Sequence, residues 1–221
     1  MLDVALNTAL TNLSVDNNLL TTLSVATNRL LVELHAGGNL LTELDVSSNT
    51  MLKVLSVFNN QLYSLDVTNN KQLEFLSIGK NSISSIDVSL QSELKEFRAY
   101  ENLIVAIDIS NNLKLESLSL YSNQLTQVDV SGNLQLRELS LGNNQLSVVD
   151  VSNNIALLDL KVYGNALERV DVTTNTALVA LSVRDNLLTE LDVSQNVQLN
   201  ELIAYSNQLS AIELKSNKAL E

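Results

Sequence analysis

Three columns of this sequence hold side chains able to do chemistry, and each repeats every 21 residues. The first reads Asp16, Gly37, Phe58, Gly79, Tyr100, Tyr121, Gly142, Tyr163, Arg184, Tyr205. The chain has five Tyr and three Phe, and five of those rings fall in this one column. Two residues earlier runs Ser14, His35, Ser56, Ser77, Arg98, Ser119, Ser140, Lys161, Ser182, Ile203. Aromatic rings beside guanidinium, ammonium and hydroxyl groups have the composition of a binding surface, because they offer rigid amphipathic area at low entropy cost. Phe58, Arg98, Tyr100, Tyr121, Lys161, Tyr163, Arg184 and Tyr205 are the candidate ligand contacts. We expect rings on adjacent coils to stack, with Gly79 and Gly142 leaving gaps between them. The competing reading is that strand positions favour aromatics and the rings only steady the sheet.

The acidic column runs Asp3, Ser24, Asp45, Asp66, Asp87, Asp108, Asp129, Asp150, Asp171, Asp192, Glu213, and holds ten of the 25 acidic residues. Beside it lie hydroxyls such as Ser47, Thr68, Ser131 and Thr173. A Ca²⁺ ion wants roughly six to eight oxygens, about twice what such a row offers, so no metal is expected. Hydrogen bonding to hydroxyls or turn amides is the expected role. We also expect like charges on successive coils to raise these carboxyl pKa values, so that stability grows as the pH falls. His35, the one histidine, lies between Ser14 and Ser56 with Asp16 nearby. Catalysis would need an aligned base and nucleophile and a sheltered oxyanion site, and an open sheet shelters nothing. No phosphate loop, HExxH or carboxylate pair appears, so neither an enzyme nor a cofactor is expected.

The elements that carry these columns follow from the period. A leucine recurs without a slip at Leu10, Leu31, Leu52, Leu73, Leu94, Leu115, Leu136, Leu157, Leu178, Leu199 and Leu220. A fixed period of this length means a solenoid of stacked coils. Each coil has two similar halves, such as Leu115-x-x-Leu118-x-Leu120-x-x-Asn123 and Leu125-x-x-Val128-Asp129-Val130-x-x-Asn133. Both alternate apolar and polar residues, which predicts two strands per coil with one buried face each. Asn columns end both halves, through Asn123 and Asn133 here, with Gln91 the one exception in the second column. Asn amides both donate and accept, and so can satisfy backbone groups that a turn leaves inside a coil.

Composition narrows the partners. The net charge of −12 disfavours nucleic acid and anionic membranes. No apolar run is long enough to span a bilayer. Met1-Leu2-Asp3-Val4 begins no basic stretch followed by an apolar one, so no signal peptide is expected in this chain. With no Cys, disulfides are excluded; with no Pro and only six Gly, the turns must be built from Asn, Ser and Asp.

The halves LxxLxLxxNxL and LxxLDVxxNxx resemble leucine-rich repeats. The nested 21-residue form is similar to the class called IRREKO, and phrases such as Asn175-Thr176-Ala177-Leu178 resemble those of Bacteroidetes surface proteins. The resemblance implies a mainly β, right-handed solenoid with two parallel sheets of short strands. It implies a non-enzymatic module that recognises a protein or glycan, outside the cell or on its surface. The alternative is a structural or engineered scaffold without a natural ligand. One departure is that many relatives place Cys where this chain has Val15, Ala36, Val57, Ile78 and their successors. We expect a single domain over residues 1–221: a partial coil at 1–9, ten repeats at 10–219 and the start of another at 220–221. Neither end carries a polar cap, which leads us to expect homodimers through exposed strand edges.

Overall fold

The computed structural model describes residues 2–220. Met1 and Glu221, the limits of the expected domain, lie outside the described residues. The chain forms two compact units, Met1–Lys114 and Leu115–Glu221. Each is a parallel β solenoid with 21-residue turns, and among the described residues no helix forms.

The first unit contains β1 (Asn12–Ser14), β2 (Glu33–His35), β3 (Val54–Ser56), β4 (Phe75–Ser77) and β5 (Glu96–Arg98). They pair in sequence order, and the register puts each residue beside its repeat equivalent, as in Leu34 beside Leu55 and Leu55 beside Leu76. The second unit contains β6 (Ser117–Ser119), β7 (Glu138–Ser140), β8 (Asp159–Lys161), β9 (Ala180–Ser182) and β10 (Glu201–Ile203), paired the same way. Between coils the ladder runs on past the strands, through Val57 N–H to Ser77 O (2.8 Å) and Asn59 N–H to Gly79 O (2.7 Å).

The core is the stack of leucine and valine columns. Within one coil Leu115, Leu118, Leu120, Leu125 and Val130 are all buried. The first Asn column closes the turn after each strand. Asn39 Nδ2 donates to the carbonyls of Val15, Ala36 and Gly37, while its Oδ1 accepts from Leu20 N–H at 3.0 Å.

The second half of the coil departs from expectation. No strand forms around Val128-Asp129-Val130 or its equivalents, so each unit has one sheet rather than two. The physical reason is that side chains take over the joining. Asn49 Nδ2 donates to Val25 O (3.0 Å) and Asn28 O (2.8 Å) of the preceding coil, and Asn154 does the same to Val130 O and Asn133 O. The backbone turns within its own coil instead, through Asn49 N–H to Val46 O and Leu52 N–H to Asn49 O.

One column takes a left-handed backbone, and six of its ten residues are the Gly, Asn or Asp that adopt it most readily. Asn17, Gly38, Asn59, Lys80, Glu101, Ser122, Asn143, Gly164, Asp185 and Ser206 all sit at positive φ, between 51° and 63°. Only Gly38 and Gly164 adopt this left-handed backbone without steric cost.

Candidate functional site

The outward side of the strands carries the candidate contacts. Period-2 alternation puts the residue at the start of each strand, the one at its end and the one two beyond on the same side. In the second unit this gathers Asp159, Lys161 and Tyr163 from one coil with Ser182, Arg184, Glu201 and Ile203 from the next two. They line a shallow cleft of about 230 Å³. Lys161 Nζ bonds Asp159 Oδ2 at 2.5 Å. The Arg184 guanidinium lies 4.2 Å from the centre of the Tyr163 ring and 5.7 Å from that of Tyr205. Its partner Asp185 holds the guanidinium charged, raising its pKa through a side-chain hydrogen bond. Tyr163, Arg184 and Tyr205 therefore form a row in which the cation faces two ring quadrupoles.

The glycines of this column are not gaps. A Cβ on Gly142 would stand 2.4 Å from the Tyr163 ring, one on Gly79 2.6 Å from the Tyr100 ring, and one on Gly37 2.3 Å from the Phe58 ring. Each ring leans onto the glycine one coil earlier. Three glycines are beds for rings, which corrects the expectation that Gly79 and Gly142 leave gaps. The seated rings are half-buried, whereas Tyr205, resting against Arg184, is 60% exposed.

The other candidates are placed less densely. In the first unit Arg98 lies 5.4 Å over the Phe75 ring and is ion-paired with Glu96. Phe58 and Tyr100 sit on their glycines. In the second unit Tyr121 is half-buried. Thus Lys161, Tyr163, Arg184 and Tyr205 are brought together, whereas Phe58, Arg98, Tyr100 and Tyr121 stand on the same side of the strands without forming one cluster. Asp159 and Glu201 were missed by sequence reasoning. Their column, two residues before Lys161 and Ile203, carries the same alternation and could have been found by extending it.

The serine–histidine set does not assemble. Ser14 Oγ donates to Asp16 Oδ2 at 3.2 Å, Asp16 Oδ1 accepts from Gly37 N–H at 2.7 Å, and His35 Nε2 lies 3.9 Å from Glu33 Oε2.

The acidic column behaves opposite to expectation. Asp45, Asp66, Asp87, Asp129, Asp150, Asp171 and Asp192 all have pKa values lowered from the ordinary carboxylate value. The cause is the Ser or Thr two residues on, which donates to the carboxylate. Ser131 N–H reaches Asp129 Oδ1 at 2.9 Å, while the Thr173 amide and hydroxyl reach Asp171 Oδ1 at 2.9 and 2.6 Å. Repulsion along the column does push upward, at Asp66 and Asp150 for example, but two short hydrogen bonds outweigh screened charges on neighbouring coils. Among the described residues no group of three or more acidic or imidazole side chains is arranged to hold a metal ion.

No family model matches the sequence, and no curated protein matches it. Solved structures do. The functional domain of InlJ from Listeria monocytogenes, which includes a cysteine ladder, is 30% identical over 96% of this chain and 52% of its own, with a TM-score of 0.82. A leucine-rich-repeat protein of Leptospira interrogans is 26% identical over 89% of this chain and 55% of its own, with a TM-score of 0.81. The leucine-rich-repeat ectodomain of a plant membrane receptor kinase from Arabidopsis thaliana, in complex with Casparian strip integrity factor 2, shares the fold alone. It is 20% identical over 84% of this chain and 25% of its own, with a TM-score of 0.76. This chain spans about half the length of the two bacterial structures. The fold is a leucine-rich-repeat solenoid, here without any cysteine.

Proposed function

We propose that this chain is a non-enzymatic recognition module that binds a protein or glycan through the outward side of its strands. The observation that carries the reading is the row Tyr163–Arg184–Tyr205, bedded on Gly142 and flanked by Lys161, Asp159 and Glu201. Rings held flat lose little entropy on binding, and the cation and carboxylates around them give direction to polar contacts. Phe58, Tyr100 and Arg98 offer a lesser version of the same surface. The Arabidopsis ectodomain, solved in complex with its partner, is an instance of a protein ligand held by this fold.

The test is a glycan and protein array probed with this chain and with a Tyr163→Ser/Tyr205→Ser variant. We expect a discrete set of signals that the variant loses by at least about tenfold. Equal signals from both chains would overturn the reading. No signal from either would favour a scaffold without a ligand.

A further inference from the structure

The second halves of the coils in the first unit enclose a groove of about 600 Å³, on different segments from the aromatic row. Its floor is apolar. Leu23, Leu44 and Leu65 come from successive coils and are 7–8% exposed. Its wall includes Tyr63, which is 63% exposed and lies outside the aromatic column. Glu43, Asp45 and Asp66 stand on its rim. Among the described residues no Lys, Arg or His lies within ion-pair distance of these three carboxylates.

The equivalent groove of the second unit, about 650 Å³, shows what is particular here. Thr189 and Ser210 stand where the first unit has Tyr63, counted in repeats. Arg169 pairs with Glu190 at 3.2 Å and Lys215 with Glu213 at 3.0 Å, so its acids are partly neutralised. The apolar floor is common to both, since Val170, Leu191 and Ile212 take the places of Leu23, Leu44 and Leu65, and only the first is aromatic and uncompensated in charge.

We infer that the groove over Leu23, Leu44 and Leu65 docks an extended basic segment of a partner protein, with apolar side chains on its floor and Lys or Arg against Glu43, Asp45 and Asp66. Charge complementarity selects the occupant. An extended chain presents alternate side chains to opposite sides, so Lys or Arg alternating with aliphatic residues fits both floor and rim. The aromatic wall adds ring faces for guanidinium or ammonium groups. This inference is independent of the aromatic row proposed above, since the two sites share no residue.

The probe is a fluorescein-labelled peptide of alternating Lys and Leu, followed by anisotropy against the full chain. Asp45→Asn and Asp66→Asn keep the acceptor for the Ser47 and Thr68 amides while removing charge. We expect Glu43→Gln/Asp45→Asn/Asp66→Asn to weaken binding on the order of tenfold, measured well below its melting temperature so that the variant is fully folded. Asp171→Asn/Glu190→Gln/Asp192→Asn removes the same number of acids from the second unit and should leave affinity within about twofold. Tyr63→Ser, which changes no charge, should also weaken binding, and high salt should weaken it further. Equal losses from both triple variants, or no loss from Tyr63→Ser, would show only attraction to net negative charge and would overturn the inference. Displacement of the peptide by stoichiometric Ca²⁺, with Tyr63→Ser behaving as the parent chain, would replace it with a cation site.

Discussion

The two halves of each coil solve the same problem by different means. In the first half the strand backbones bond coil to coil, as in Leu34 beside Leu55. Their outward side chains are not needed to join the coils and so vary: Arg98, Ser119 and Lys161 occupy equivalent positions, as do Gly142, Tyr163 and Arg184. In the second half no ladder forms, and side chains supply the bonds. Asn154 reaches Val130 and Asn133 of the preceding coil, and Asp150 caps its own turn through the Ser152 amide. Those positions hardly vary. Where the backbone does the joining, side chains are available for recognition; where side chains do the joining, they are fixed.

The largest expected effect is in the core that both halves share. Leu118 and Leu139 are each 1% exposed, so Leu→Ala at either should cost roughly 2–5 kcal/mol in urea melts. Gln124, exposed in the turn beyond the first half, should tolerate Ala with a change of about 0.5 kcal/mol or less. Equal losses would blur the inside–outside assignment on which the comparison rests.

Next comes the turn between the halves. Gly164 has φ of +61°, and a Cβ there would stand 2.3 Å from Asn143 Oδ1. Gly164→Ala should therefore cost about 1–2 kcal/mol. Ser122, at φ of 55°, already carries that cost, and Ser122→Gly should gain ~0.5 kcal/mol in the same melts.

The acidic column gives a pH dependence whose sign follows from its hydrogen bonds. Folded pKa values lie below the unfolded ones at Asp129, Asp150, Asp171 and their equivalents. The folded state therefore binds fewer protons than the unfolded chain, and stability rises with pH across the titration. Their contribution is complete above the unfolded carboxylate value and is lost as the pH falls through the lowered folded values. The melting temperature should hold steady from pH 7 to about 5 and then decline. A rise on acidification would mean that repulsion between neighbouring carboxylates outweighs their hydrogen bonds.

Much of this was legible in the sequence. The period, the leucine columns, both Asn columns and the strand of the first half follow from spacing alone, because 21-residue recurrence and period-2 alternation survive in plain text. The second strand was not legible. Val128-Asp129-Val130 alternates as a strand does, but Asp129 accepts from its own turn and the backbone leaves the ladder. The left-handed column was half legible: Asn17, Gly38, Asn59, Asn143, Gly164 and Asp185 suit positive φ, whereas Lys80 and Glu101 do not advertise it. The role of the glycines was hidden too, since whether a ring stands upright or lies on its neighbour depends on its lean. Of the site, the sequence showed Lys161, Tyr163, Arg184 and Tyr205 as one surface but not Asp159 and Glu201, which fill the same side two residues earlier.

The division of labour is tested most directly by unfolding two variants of the second unit side by side in urea. Asn196→Ala removes a buried amide that donates to Val172 O (2.9 Å) and Asn175 O (2.8 Å), leaving two buried carbonyls without that partner. Tyr205→Ser removes an exposed ring from the candidate recognition row. We expect a loss of roughly 2–3 kcal/mol for the first and less than about 0.5 kcal/mol for the second. Comparable losses, or a greater loss at Tyr205, would contradict the account, because the varied side would then be holding the fold together.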